Sequence, residues 1–289
     1  DWSSDVCSSD LKGYELFEIA ADASFSQLLF AGWRFALAGV LVLIVAKLKG
    51  HRIIPVRSEW KPILWISLFQ SMIQYICYYI GLSATTGTKG AVLSGTQTFF
   101  ALIFAHLFLK NDKLNRQKAL GCVCGFAGVL VLGMGGLNGF NLLGDGLVLL
   151  SAVSAGAGAL VSRIFTPGRD PMLLTGWQLL LGGLLLGGIG VAGGGHLGAV
   201  TLTGVLLLGY MIVLSAAAFT IWTALLGKYP VGRVSLFCFL IPVFGAIFSA
   251  LVLGENIFTL RNLAALALVS GGIAIANYVR GSKTGEKQA

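Results

Sequence analysis

The chain has 289 residues, of which 56% are hydrophobic and only 11% charged, and its 20 Lys and Arg against 12 Asp and Glu give a net charge of +8. Because a soluble domain carries roughly 25% charged residues, these figures exclude an ordinary cytosolic enzyme, and they exclude intrinsic disorder as well. Nucleic-acid binding needs basic residues clustered on a water-facing surface, whereas the charges here lie in short gaps between long apolar runs. The composition therefore indicates an integral membrane protein.

Nine apolar segments follow one another along the chain, each close to the length of about 20 residues that a helix needs to cross a bilayer. The segments that connect them are short, so no soluble domain fits between them. The sequence therefore predicts an all-α, polytopic membrane helix bundle. In chain order the segments are Ser26–Ala46, Ile63–Ser83, Gly90–Leu109, Ala119–Gly135, Gly146–Val161, Leu173–Ala192, Gly204–Leu226, Val234–Leu253 and Asn262–Val279.

The basic residues predict the orientation of this bundle. If the loop from Lys47 to Lys61 is cytoplasmic, strict alternation places 16 Lys and Arg on the cytoplasmic side and only Lys89 and Arg261 on the opposite side. That asymmetry agrees with the positive-inside rule. We expect a multi-pass protein of a bacterial inner membrane, with its C-terminus in the cytoplasm.

The chain also resembles itself at an offset of 144 residues. Gly32-Trp33 falls on Gly176-Trp177, and Gly128 falls on Gly272. The second copy contains five spans, and because five is odd, the two copies enter the membrane from opposite sides. Such inverted repeats are typical of secondary transporters, which bind their substrate near the midplane between the halves. We assign residues 25–143 to the first repeat and 144–289 to the second.

The segment 1–24 departs from this repeat. The partner of the fifth apolar segment should lie near residues 2–17, but that stretch is polar and acidic, and it lacks the apolar core of a span or a signal peptide. Its first 11 residues resemble a translated cloning fragment joined to a truncated gene. We therefore expect ten spans in the natural protein, with the segment 1–24 standing in place of the first.

Two groups of motifs resemble the EamA type of the drug/metabolite transporter superfamily. Gly32-Trp33-Arg34-Phe35 resembles the start of that family's second helix, and Ile241-Pro242-Val243 through Leu253-Gly254-Glu255 resembles part of its last two helices. The resemblance implies a ten-helix bundle of two five-helix inverted repeats, which moves small metabolites by alternating access through a central cavity. It also implies that the segments starting near Ile63, Gly90, Gly204 and Val234 line that cavity.

Polar and aromatic side chains inside the spans are the candidates for contact with a solute, because polar groups are costly to expose to lipid. Gln70, Gln74 and Tyr78 follow one another at four-residue spacing, which predicts a shared helical face. Hydrogen bonding between helices is the alternative role for each polar residue, and Pro242 is expected to kink its helix. The complete set of cavity candidates is Gln70, Gln74, Tyr78, Ser94, Gln97, Thr98, Tyr210, Thr220, Trp222 and Pro242.

Three further residues have two interpretations each. Arg34 is the one charged residue well inside a predicted span, about 12 Å deep at a rise of 1.5 Å per residue. It either binds an anionic group of the solute or anchors the fold through backbone carbonyls, and Gln178 occupies the equivalent position of the second repeat. His106, near the cytoplasmic end of its span, either gates a proton or packs at the membrane interface.

No Asp or Glu lies in the apolar core of any predicted span, so we expect transport or exchange down solute gradients rather than coupling through a buried carboxylate. The three His are scattered, and the Cys122-x-Cys124 spacing lacks the second pair of ligands that a zinc site needs. We predict no catalytic residue, no metal and no cofactor.

The favoured function is therefore an exporter or exchanger of small amino-acid-like or drug-like metabolites. Its expected partners are a small-molecule solute and the lipid bilayer, without nucleic acid, and the oligomeric state stays open. The alternative is a flippase for lipids or lipid-linked precursors on the same scaffold, which would use a basic lateral groove for head groups. A membrane-embedded enzyme is less favoured.

Overall fold

The computed structural model describes residues 13–14, 16–20, 23–85, 87–110, 112–133, 141–198, 201–240 and 260–277. These residues form helices and contain no strand, which confirms the all-α bundle. In chain order the helices are α1 Ser24–Leu48, α2 Arg57–Ser83, α3 Gly87–Gly95, α4 Gln97–Phe108, α5 Arg116–Gly133, α6 Gly144–Phe165, α7 Pro171–Ala192, α8 Leu202–Lys228, α9 Val231–Leu236 and α10 Leu260–Asn277.

Each of the nine predicted apolar segments coincides with helix in the described residues, but two of them are interrupted. The third is divided at Thr96 between α3 and α4, and α9 continues into the 3₁₀ turn Phe237–Phe239. The rest of the segment Val234–Leu253, with Pro242, lies outside the described residues. In the described part of the chain, the five helices α1, α2, α6, α7 and α8 are long and apolar enough to cross a membrane.

Helices occur at corresponding places of the two repeats. The described part of α10, Leu260–Asn277, lies 144 residues after α5, Arg116–Gly133. The described start of α3 at Gly87 corresponds in the same way to Val231 in α9. Helix therefore occupies equivalent stretches of the two halves of the sequence.

α1 and α7 occupy equivalent positions in the two repeats, and they pack against each other through glycines. A Cβ atom placed on Gly32 would lie 2.4 Å from the backbone nitrogen of Gly187, and one placed on Gly183 would lie 2.2 Å from the backbone nitrogen of Ala36. The residue numbers rise on one helix as they fall on the other, so the pair is antiparallel. Only glycine lets two helix backbones approach this closely.

The two contacts between α1 and α7, Gly32 with Gly187 and Gly183 with Ala36, each have a counterpart. In the counterpart, each residue is replaced by its equivalent in the other repeat. A Cβ on Gly176 would lie 2.7 Å from the side chain of Leu43, which is the counterpart of the Gly32 contact. A Cβ on Gly39 would lie 2.5 Å from the backbone nitrogen of Leu180, which is the counterpart of the Gly183 contact. A two-fold axis between α1 and α7 produces this exchange, so the repeats are inverted as the sequence predicts.

α5 and α10 form a second pair of equivalent helices in close contact. A Cβ on Gly272 would lie 2.6 Å from the carbonyl oxygen of Gly121 and 2.8 Å from the backbone nitrogen of Gly125. Gly121 and Gly125 are spaced four apart, as in the GxxxG motifs that pack membrane helices. Both pairs thus join equivalent helices of the two repeats through close glycine contacts.

Hydrogen bonds between loops identify one end of the bundle. His51 Nδ1 lies 2.7 Å from Asp170 Oδ2, and the backbone nitrogen of Gly232 donates to the Asp112 carboxylate at 3.0 Å. These contacts bring together the loops 49–56, 109–115, 166–170 and 229–230, which define what we term the basic end. The sequence places these same loops on one side of the membrane.

The opposite end brings together the loops that alternation assigns to the other side. Lys89 Nζ lies 3.3 Å from the Asp145 carboxylate, and the backbone nitrogen of His196 donates to the Ser26 hydroxyl at 3.1 Å. The contacts therefore agree with the predicted alternation of the spans. That the basic end faces the cytoplasm stays a prediction.

Part of the segment 1–24 packs into the core of the bundle. The ring centroids of Tyr14 and Phe17 lie 5.8 and 5.4 Å from that of Phe30 in α1, and all three side chains are buried. Residues 1–12 lie outside the described residues. The assignment of residues 1–24 to a foreign or truncated segment, and the repeat boundaries at 25–143 and 144–289, stay predictions.

Candidate functional site

A small cavity lies where α4 and α9 meet α6 and α8. Its volume of about 10 Å³ is close to the space of one water molecule, so it is too small for a solute in this conformation. The lining residues are small, aromatic or uncharged polar ones: Gln97, Ala101, Ala155, Ala159, Trp222, Ser235 and Cys238.

Both interrupted spans reach this cavity, one from each repeat. Thr96 ends the hydrogen-bonded run of α3, and its hydroxyl donates to the carbonyl oxygen of Leu93 at 2.5 Å. The equivalent of Thr96 in the second repeat is Leu240, which directly follows the 3₁₀ turn Phe237–Phe239. Irregular backbone within a membrane is tolerated where it faces protein or a water-filled cavity, and interrupted helices in corresponding positions of two repeats are typical of a solute site.

The walls of the cavity differ in part from the ones that the family resemblance implies. Three of the four implied segments contribute, through α4, α8 and α9, but the segment starting near Ile63 does not, and α6 takes its place. α6 reaches this position because Gly156 lets it approach α4, where an added Cβ would lie 2.8 Å from the backbone nitrogen of Ala101. Ala155 and Ala159 then face the cavity, and as alanines they carry no polar signal that sequence reasoning would detect.

Two of the predicted residues lie at the cavity, and a third bonds to a residue that lines it. Gln97 and Trp222 line the cavity directly. Thr98 is buried, and its hydroxyl donates to the backbone carbonyl of Ser235 at 3.1 Å, which joins α4 to α9. The buried Ser94 hydroxyl has no hydrogen-bond partner within the described residues. Contact between these residues and a solute stays a prediction.

Four other candidates do not line the cavity, and three of them have contacts of their own. The Gln70 amide oxygen accepts a hydrogen bond from Ser162 of α6 at 2.9 Å, and Gln74 lies on the same helix without lining the cavity. The Tyr78 ring packs against that of Tyr79, with centroids 5.6 Å apart. The Thr220 hydroxyl donates to a carbonyl of its own helix at 2.7 Å.

Tyr210 and Pro242 complete the set of predicted cavity residues. Tyr210 is 48% exposed on the surface of α8, so the structure does not bring it to the cavity. Pro242 lies outside the described residues.

Arg34 and Gln178 lie on the α1–α7 pair rather than at the cavity. The Arg34 side chain is buried, and its guanidinium carbon lies 4.4 Å from the ring centroid of Phe35. Gln178 is fully buried, and its amide donates to the hydroxyl of Ser71 at 3.3 Å. This arrangement favours the interpretation in which both residues anchor helices.

His106 holds the loop between α4 and α5 at the basic end. Its ring nitrogen Nδ1 accepts a hydrogen bond from the backbone nitrogen of Leu114 at 3.1 Å, and its carbonyl oxygen accepts one from Lys113 Nζ at 2.7 Å. The residue is exposed and does not line the cavity. Its geometry is that of a loop anchor, and a role in proton movement stays a prediction.

The basic end is closed beneath the cavity by polar contacts that sequence reasoning missed. Asp112 is 4% exposed, and its carboxylate accepts hydrogen bonds from Lys118 Nζ at 2.5 Å and from the backbone of Gly232 at 3.0 Å. Arg163 of α6 donates to the carbonyl oxygens of Leu226 and Gly227 at 3.1 and 2.8 Å, where α8 ends. In the sequence, these contacts are indicated only by the charged residues Asp112, Lys118 and Arg163 near the ends of the spans.

The opposite end has a polar cluster of its own around Asp145, in the first turn of α6. Its carboxylate accepts hydrogen bonds from the Thr85 hydroxyl, from Lys89 Nζ at 3.3 Å and from the backbone of Asn141 at 2.8 Å. The cluster ties the connection between α2 and α3 to the start of α6. Among the described residues, no group of three His, Cys, Asp or Glu side chains lies close enough to hold a metal ion.

Comparison with known proteins gives one family and several relatives. The EamA-like transporter family matches residues 16–134 and again residues 142–278. "Uncharacterized transporter YvbV" of Bacillus subtilis (strain 168) is 28% identical over 89% of this chain and 85% of its own length. "Uncharacterized inner membrane transporter YedA" of Escherichia coli (strain K12) is 30% identical over 56% of this chain and 54% of its own length.

A plant relative and a solved structure extend the comparison. "WAT1-related protein At3g02690, chloroplastic" of Arabidopsis thaliana is 28% identical over 87% of this chain, and the match spans 63% of the plant protein, less than two thirds of its length. A crystal structure described only as that of a protein superposes with a TM-score of 0.75, covering 93% of this chain and 98% of its own, at 19% identity. At that identity the likeness establishes the fold alone.

Proposed function

Because the chain belongs to the EamA-like transporter family, we propose that it carries a small amino-acid-like or drug-like solute across the membrane, as an exporter or exchanger, through the cavity between α4, α6, α8 and α9. Transport as such follows from the family and from relatives that are named as transporters, not as enzymes. The observation that carries the finer proposal is the pair of interrupted spans that meet at the cavity from the two repeats.

Alternating access is the mechanism that this arrangement supports best. Each inverted repeat can adopt the conformation of its counterpart, so that one site opens first to one side and then to the other. The polar contacts at both ends have the position of gates: Asp112 and Arg163 close the basic end, and Asp145 and Lys89 bridge the opposite end. Because the cavity of about 10 Å³ is too small for a solute, binding requires the surrounding helices to move apart.

The charges of the residues that line the cavity indicate which gradient drives transport. No residue that lines the cavity in the described part of the chain is acidic, and carboxylates are the usual proton and sodium ligands of membrane pumps. We propose that the solute moves down its own gradient or exchanges against a second solute. An imposed pH gradient alone is then expected to cause no accumulation in reconstituted vesicles.

The test is solute exchange in proteoliposomes that contain the purified chain. Vesicles are preloaded with unlabelled solutes from a metabolite panel, and uptake of the labelled compound is followed. Gln97→Leu and Trp222→Leu are expected to reduce uptake at least tenfold, because both side chains line the cavity. A loss of about 1.4 kcal/mol of binding free energy is enough for a tenfold reduction.

Trp33→Leu is the matched control, because Trp33 is also a tryptophan within a span but is 52% exposed on α1. It is expected to leave uptake unchanged. Exchange that is equally sensitive to all three substitutions would contradict the assignment of the cavity. Movement of a labelled lipid between leaflets without exchange of any solute would contradict the proposed function and favour a flippase.

A further inference from the structure

The four elements that line the cavity carry no charged residue along the stretches that reach it. α4 contains no Asp, Glu, Lys or Arg, and α8 contains none before Lys228. α6 has none between Asp145 and Arg163, and the sequence that follows Arg233 has none before Glu255. The nearest cations along these elements are Arg163, whose guanidinium already bonds to the carbonyl oxygens of Leu226 and Gly227, and Arg233, which is exposed at the basic end. An ionised group on a solute would therefore find no free opposite charge on these walls, and an unpaired charge in such an apolar environment is strongly disfavoured.

The cavity does contain hydrogen-bonding groups, and one of them has no partner among the described residues. Ser235 is 2% exposed, and its hydroxyl makes no hydrogen bond to any described residue. Its backbone position is fixed, because its carbonyl oxygen accepts the hydroxyl of Thr98. Buried polar groups in native structures are normally satisfied, so this hydroxyl is placed to bond a ligand or water in the cavity. Gln97 adds an amide that both donates and accepts.

The remaining lining is apolar and suits a flat group. Trp222 contributes an indole ring, and Ala101, Ala155 and Ala159 contribute only methyl groups. Aromatic side chains bind planar ligands through their faces and edges, and methyl groups leave room beside them. The cavity thus combines one aromatic wall with an uncharged polar pair.

From these observations we propose that the chain selects solutes without an ionised group at this position. The solute presents an uncharged donor and acceptor, such as a carboxamide, to Ser235 and Gln97, and a planar apolar body to Trp222. Acids of the same shape are rejected because their carboxylate has no cation on the walls. This inference rests on the proposed function and narrows its substrate class to uncharged amphipathic compounds.

Cys238 provides a reporter inside the cavity, because its side chain is part of the lining. The other four cysteines, Cys7, Cys77, Cys122 and Cys124, are replaced by alanine in the full chain. The rate at which N-ethylmaleimide alkylates Cys238 in proteoliposomes is then measured with and without a probe. The probes are indole-3-acetamide and indole-3-acetate, which share one ring system and size but differ in charge at neutral pH.

Indole-3-acetamide is expected to slow alkylation of Cys238 at least threefold at a concentration at which indole-3-acetate has no effect. Ser235→Ala is expected to weaken protection by indole-3-acetamide about three- to tenfold, the effect of one lost hydrogen bond. Thr175→Ala is the matched control. It removes another buried hydroxyl without a partner in the described residues, on α7 and away from the cavity, and should leave protection unchanged.

Equal protection by the two probes, or protection by neither, would overturn the inference, as would an identical effect of Ser235→Ala and Thr175→Ala. Uptake of both labelled probes into proteoliposomes gives a second measurement that does not depend on the reactivity of Cys238. Uptake of indole-3-acetate as fast as that of indole-3-acetamide would overturn the inference but leave transport intact. Failure to exchange any solute would instead overturn the proposed function itself.

Discussion

Gly183→Ala is expected to destabilise the chain, because α1 and α7 are in backbone contact at this residue. The added Cβ would lie 2.2 Å from the backbone nitrogen and 2.8 Å from the Cα of Ala36, whereas ordinary van der Waals contact begins at 3.4 Å. The nearest atoms are backbone atoms, so no side-chain rotation relieves the clash. The two helices must separate by about 1 Å or bend, and overpacking of this kind costs about 1–3 kcal/mol.

Gly188→Ala is the matched control, because it lies on the same helix and an added Cβ would meet nothing within 4 Å. Both substitutions gain the same helix-propensity term of about 0.5–1 kcal/mol, so the difference between the two variants isolates the clash. At about 2–4 °C per kcal/mol, that difference corresponds to a Tm about 2–12 °C lower for Gly183→Ala.

The assay is thermal unfolding of the purified variants in one detergent, followed by circular dichroism. Gly39→Ala tests the symmetry independently, because its Cβ would lie 2.5 Å from the backbone nitrogen of Leu180 in the counterpart contact. The same sign of change is expected for Gly39 and Gly183. A Tm for Gly183→Ala equal to that for Gly188→Ala would refute the close packing of α1 and α7.

Two further predictions concern the ends of the bundle. Asp145→Asn leaves the largely buried charge of Lys89 without its partner carboxylate, so stability should fall by about 3–5 kcal/mol, measured by thermal unfolding. Arg52→Gln breaks a salt bridge whose Arg side chain is 54% exposed, so it should lower stability by no more than about 1 kcal/mol. Equal losses of stability for Asp145→Asn and Arg52→Gln would contradict the claim that burial makes the Lys89–Asp145 pair the stronger one. Asp112→Ala removes the acceptor that joins the loop before α5 to the start of α9, so a membrane-impermeant maleimide added at the basic end should alkylate Cys238 faster. An unchanged rate would count against Asp112 as part of a gate.

The spans and the repeat were predictable because the bilayer imposes them. A helix must be apolar over a fixed length to cross the membrane, so composition alone locates the spans to within a few residues. The offset of 144 residues also relates the helices of the two repeats, as Arg116–Gly133 and Leu260–Asn277 illustrate. Close glycine contacts between the repeats require a shared pattern at equivalent positions, and that pattern can be read from the sequence.

The orientation of each helix about its own axis was not predictable. Trp222 and Tyr210 lie on the same span, yet the first lines the cavity and the second is on the surface. α8 is apolar around its whole circumference, so no hydrophobic face distinguishes the inner side from the outer one. In lipid the usual amphipathic signal is absent, and the packing of neighbouring helices sets the rotation instead.

The shared face of Gln70, Gln74 and Tyr78 depended on regular α-helical geometry. α2 instead contains a π-helical turn at Leu68–Ile73, which changes the angular spacing of successive residues. Gln70 is thereby placed against Ser162 of α6. Sequence periodicity cannot detect such a turn, which rotates the residues after it about the helix axis relative to those before it.

The most direct test of transport by alternating access is the accessibility of Cys238 from the two sides of the membrane. The chain with Cys238 as its single cysteine is prepared in right-side-out and inside-out vesicles, and a membrane-impermeant maleimide is applied to each. We predict alkylation from both sides, with a transported solute changing both rates. Alkylation from one side alone, whatever solute is present, would contradict alternating access through this cavity.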